Sequence, residues 1–167
     1  MSMIGVARRL AVGGLLAVAA MHANWARGSA WPAGDERALA RAVIGRDVMP
    51  PAWASLVVAA LLTTGAVLVA GRPHRWPRVQ RLGAAMVATT LAVRALIGVA
   101  GLMPQERASV AFARWNRRLY SPLCLALAVL CAAGIAPNED GGSWRGTRHG
   151  PGDEGEVGDA ARPSARG

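Results

Sequence analysis

The run TTLAVRALIGVAGLM, residues 89–103, holds one permanent charge, Arg94, among apolar and small residues. A guanidinium brings five N–H donors and no acceptor, so it suits gripping carbonyls, hydroxyls, side-chain amides or an anion. Charge in such a setting costs about 2.5–3.5 kcal/mol on insertion scales, so polar groups must converge on it. Neither this run nor any of the three other apolar runs contains Asp or Glu. The partners expected for Arg94 are main-chain carbonyls, Asn24, hydroxyls such as Thr90 and Tyr120, water, or a loop acid. Asp35, Asp47 and Glu106 are the acids in question. The resulting polar centre either ties helices together or binds an anion or headgroup.

Other reactive side chains gather near the same level. His22, Asn24 and Trp25 close the first apolar run, and Tyr120, Ser121 and Cys124 open the fourth. Arg94 lies about 18 Å along its helix from Leu82 at 1.5 Å per residue, and His22 lies equally far from Leu10. Both helices run in the same direction, so the two residues share a depth. His22 has no second histidine or acid at ligand spacing, so no metal and no cofactor are expected. Its first reading is a hydrogen-bonded structural residue, its second a proton relay. Cys124 and Cys131 stand seven residues apart on one helix face, about 10 Å by rise, too far for a disulfide. They read as small buried hydrophobes. No nucleophile–base–acid set and no phosphate-cradling glycine loop is evident, so an enzyme using His22 or Cys124 is a minority reading.

The elements that must position these residues follow from composition. Of 167 residues, 53% are hydrophobic and only 17% charged, against about a quarter charged in soluble domains. The net charge of +9 is carried by arginine, with no lysine, in short clusters such as Arg72, Arg75, Arg78 and Arg81. That is the pattern of membrane-flanking loops, not of a nucleic-acid surface, and no nucleic-acid partner is expected. Four runs suit crossing a bilayer: about residues 10–26, 52–71, 82–103 and 120–136, the third stopped by Pro104 and the fourth by Pro137. Only helices satisfy the backbone there, and no alternating strand pattern is present. The fold expected is an all-α integral membrane bundle of four transmembrane helices over residues 1–137. A disordered polar tail is expected over 138–167, where Gly, Pro and mixed charge cannot offset ordering entropy.

Details refine that frame. The start, MSMIGVARR before an apolar stretch, resembles a signal peptide cleavable after Ala20, but the apolar run continues past that point and an uncleaved helix is expected. Between the first two runs, GDERALARAVIGRD places Ala38, Leu39, Ala42 and Val43 at helical spacing, which predicts a short amphipathic surface helix. Small-residue stripes at Ala84/Ala88/Ala92, Ala66/Ala70 and Ala128/Ala132 are expected to seat neighbouring helices. Trp25, Trp31, Trp53, Trp76, Trp115 and Tyr120 stand near run ends as an aromatic belt. Arginine totals balance across the two faces. The bias of Arg8 and Arg9 before the first run favours cytoplasmic N- and C-termini.

The string FARWNRRLYSPLCLALAVL, residues 112–130, resembles the closing signature of a family of small bacterial membrane proteins, domain of unknown function 3995. HANWARGSAWP (22–32) and VRALIG (93–98) are similar to that family's earlier pieces. The resemblance covers about residues 10–136. It implies four transmembrane helices in a bacterial plasma membrane and supplies no activity. The family often carries an acid where Asn116 stands, so a charge-based role does not transfer to that position, although Asn116 joins the polar cluster. The leading function expected is a non-enzymatic protein acting through the lipid bilayer, a homo-oligomeric copy or a membrane-protein partner. The alternative is a small oligomeric transporter, since four short helices enclose little pathway alone.

Overall fold

The computed structural model describes residues 2–71, 76–101 and 109–135. The expected tail, Glu106 and Arg107 lie outside the described residues, as do Arg72 and Arg75. Helix α1 spans Met3–Ala26, α2 Glu36–Val43, α3 Ala52–Val69 and α4 Pro77–Val99. A final rod consists of α5 (Val110–Trp115), a π turn (Asn116–Tyr120) and α6 (Ser121–Ile135). All described regular structure is helical, and α1, α3, α4 and the rod Val110–Ile135 are long and apolar enough to cross a membrane.

Local chemistry explains the starts and stops. Ser2, Asp35 and Ser109 cap α1, α2 and α5 by accepting from Gly5 N, Ala38 N and Phe112 N. Pro77 opens α4, where its missing N–H costs nothing. Helices α1 to α4 are each followed by a glycine at positive φ: Gly28, Gly45, Gly71 and Gly101. At Gly101 this corrects the expected boundary. The chain turns left-handed two residues beyond Val99, so α4 ends before Pro104, and Arg94 sits little more than one turn from its end. Other starts also fall earlier than expected: α1 at Met3 rather than Leu10, α4 at Pro77 rather than Leu82, and the rod at Val110 rather than near Tyr120. Ser109 supplies the N-cap there, and the polar residues 114–118 are helical despite lying outside the apolar run.

The four long elements close a ring in which α1 packs on α3, α3 on α4, α4 on α6, and α6 back on α1. Ala11, Leu15, Ala66, Val69, Ala84, Leu127 and Cys131 fill its centre. Large apolar side chains such as Leu10, Leu61, Leu82, Leu96 and Val129 point outward instead. A helix apolar on all sides suits lipid on one flank and protein on the other. Close approach comes from small residues: a Cβ at Gly65 would stand 3.0 Å from Val87. The alanine stripes take part unevenly. Ala84, Ala66 and Ala128 are buried, Ala88, Ala92 and Ala70 half-buried, and Ala132 faces outward. Cys131 is buried as expected for a small hydrophobe, while Cys124 is only half-buried; both thiols are free.

At one end of the bundle α6 is fastened to α1. Arg8 donates from Nε and Nη2 to the Gly134 carbonyl at 3.2 and 2.9 Å. That carbonyl is in the last turn of α6, where main-chain oxygens lack intrahelical donors and the dipole favours a cation. At the other end α2 lies against α5. Ser109 Oγ donates to Arg41 O at 2.6 Å, Ser109 N to Gly45 O at 3.1 Å, and Tyr120 Oη to Ala42 O at 3.2 Å. Leu39 and Ala40 are buried, so the amphipathic helix presses onto protein and not only onto a membrane surface.

Candidate functional site: an arginine node and an interfacial crevice

Arg94 and Gly98 stand four residues apart on one face of α4. Opposite them is Asn116, 4% exposed, at the start of the π turn. Arg94 Nη2 donates to Asn116 Oδ1 at 3.0 Å, and Ser121 Oγ approaches the same oxygen at 3.5 Å. Asn116 Nδ2 donates to the Gly98 carbonyl at 3.2 Å. One amide therefore joins a cation, a hydroxyl and a carbonyl near the C-terminal end of α4. That carbonyl is an orphan of the helix end, and Arg94 complements the same dipole. Among the described residues, Arg94 Nη1 is buried without a hydrogen-bond partner.

The π turn makes this geometry possible. Ser121 N–H donates to the Asn116 carbonyl, a five-residue step. Residues five apart diverge by about 140° on an α-helix of 3.6 residues per turn, but the wider π turn aligns them. Asn116 and Ser121 thus both face α4 while Arg114, Arg117 and Arg118 remain exposed.

Of the side chains expected to partner Arg94, Glu106 lies outside the described residues, and those described show no hydrogen bond to it. Tyr120 reaches Ala42, Thr90 is exposed, Asp35 caps α2 and Asp47 pairs with Arg41. Asn24 is half-buried, and its main-chain carbonyl accepts from Arg27 N and Ser29 N. His22 Nδ1 donates to Val18 O at 3.0 Å, and its ring centroid lies 5.0 Å from that of Trp25. Trp25 Nε1 donates to Trp31 O at 2.8 Å. Cys124 follows Ser121 by one turn. Among the described residues no hydrogen bond joins His22, Asn24 or Trp25 to Arg94. Of the eight cluster residues, Arg94, Asn116 and Ser121 form one node.

A second assembly uses Trp25 and Tyr120. They help line a crevice of about 390 Å³ between the end of α1, α2 and α5, with Met21, Leu39, Trp115 and Leu119. It is a mostly apolar slot under an amphipathic roof. Gly98, Ser109 and Arg8 are the contributors that spacing did not reveal, because each acts through a main-chain carbonyl or a missing side chain.

Four lipid-compatible helices closed into a ring, with polar contacts concentrated at the two ends, define a multi-pass α-helical membrane protein. A family model described as protein of unknown function (DUF3995) matches residues 15–131, and the chain belongs to that family. The match takes in all eight cluster residues. No curated protein and no solved structure matches the chain.

Proposed function

We propose that this chain is a non-enzymatic membrane protein of the bacterial plasma membrane that acts through lipid or protein partners. The observation that carries this reading is the filled interior. Leu15, Val69 and Cys131 are at most 1% exposed, packed among Ala11, Ala66 and Ala84 at the ring's centre. Among the described residues, close-packed side chains fill the ring's centre, whereas the end bearing α2 offers an accessible apolar slot. The Arg94–Asn116–Ser121 node supports the slot by fixing the rotation of the π turn that carries Leu119 and Tyr120.

Cys131 tests the reading directly. In a Cys124→Ala background, a membrane-impermeant thiosulfonate is expected to leave Cys131 unmodified in intact membranes and to label it after denaturation. Prompt labelling in the folded state would transfer support to the transporter reading. That reading draws on a specific feature: a small oligomeric permease would use the buried Nη1 of Arg94 to meet an anion. Arg8 and Arg9, in the first turns of α1 ahead of its apolar run, support cytoplasmic termini. A reporter fused after Gly167 that works only outside the cytoplasm would reverse the orientation.

A further inference from the structure

Arg114, Arg117 and Arg118 line an open cleft of about 470 Å³ with Val110 and Ala113. Among the described residues the one ion pair is Arg41–Asp47, so no described carboxylate pairs with these three. Arg114 and Arg118 stand four residues apart, where like charges on a helix repel. Ala111, Trp115 and Leu119 recur at the same spacing. The last two directly follow Arg114 and Arg118, so a basic stripe and an apolar stripe lie on neighbouring faces of one rod. The apolar stripe is a wall of the crevice beneath α2.

Depth favours a lipid. The rod Val110–Ile135 has 26 residues, about 39 Å at 1.5 Å each, against a hydrocarbon core of about 30 Å. Its first turns therefore extend to headgroup level, and half-exposed Trp115 has the amphipathic ring usual at that depth. We infer that this end of the protein binds an anionic phospholipid, its phosphate held by Arg114, Arg117 and Arg118 and an acyl chain laid in the crevice. The arginines read the charge and the crevice reads the chain. A phosphatidylcholine molecule satisfies the second requirement and carries no net charge for the first. This deepens the partner-binding reading above by naming the partner's chemistry, and it rests on that reading.

The full-length protein, reconstituted in phosphatidylcholine vesicles, is tested with spin-labelled phosphatidylglycerol and spin-labelled phosphatidylcholine. The ratio of association constants is read from the motionally restricted resonance. The wild type is expected to prefer phosphatidylglycerol about five- to tenfold, from roughly 1 kcal/mol per surface arginine partly shared with bulk lipid. R114Q/R117Q/R118Q brings the ratio near one. Ala111→Phe, which narrows the crevice and keeps the charges, lowers the association of both lipids and leaves the ratio near the wild-type value. Inorganic phosphate at matched ionic strength leaves it unchanged. If the triple variant does not fold, R114Q and R118Q singly must each lower the ratio. Wild-type parity, as an acidic protein partner would give, overturns the proposal, and so does a preference that survives loss of the arginines. A ratio abolished by inorganic phosphate would overturn the lipid in favour of a free anion. Parity with Cys131 still protected removes this site alone, whereas labelled Cys131 removes the broader reading.

Discussion

Asn116→Leu is expected to cost about 2 kcal/mol, read as a clear fall in thermal resistance in detergent. Three groups lose a partner at once: the Arg94 guanidinium, the Ser121 hydroxyl and the Gly98 carbonyl. Hydrogen bonds to charged groups are worth about 1.5–3 kcal/mol, while single interhelical bonds in membranes average nearer 0.6 kcal/mol. The guanidinium decides the size of the effect, because it stays inside the protein without its acceptor. The control follows from the same reasoning. Adding Arg94→Leu to the Asn116 variant removes the stranded cation and should restore at least half of the loss, since replacing both members of a buried polar pair is much gentler than removing one. Simple additivity of the two losses would refute the node as one unit.

Gly98→Ala should be damaging although alanine is the better helix former. Propensity favours the change by about 0.8–1.0 kcal/mol. The new methyl would overlap the Ser121 hydroxyl and crowd Arg94 Nη1 and Asn116 Nδ2, each 3.0 Å away. Overpacking of this kind costs about 1–3 kcal/mol, and here it also forces polar atoms off their partners. The steric term wins, with a net loss of about 1–2 kcal/mol. Ser121→Ala removes the atom in conflict, so the double variant should recover near wild-type unfolding temperature. A Gly98→Ala protein as stable as the parent would show that α4 and the π turn stand further apart than described.

How much of this was legible depends on the kind of signal. Four long apolar runs announce four helices, and Asp35 with the pattern through Val43 announces α2. Arg94 is conspicuous as a charge in a run that holds no Asp or Glu. Asn116 and Ser121 were in the expected polar cluster, but their pairing with Arg94 was not readable, because an α-helical wheel places them on different faces and a π turn unites them. Nothing in NRRLY marks that widening. Gly98 was readable as small, but not as the carbonyl that Asn116 needs. The boundaries erred for a related reason. Pro104 and Tyr120 are visible punctuation, whereas Gly101 and Ser109 terminate or start helices through backbone geometry and a single cap. Arg8 reads from sequence as a topology signal, and its second use depends on the last turn of a helix more than a hundred residues away.

The Arg8–Gly134 fastening has a consequence for biogenesis. Because α1 closes the ring against α6, a helix made before the other three must wait for α6. Until then Leu15 and Ala11 have no Leu127 or Cys131 to meet, and that flank of α1 rests against lipid or against whatever insertion factor shelters it. The ring is thus sealed in a single step, and synthesis interrupted anywhere before α6 leaves an open-sided intermediate.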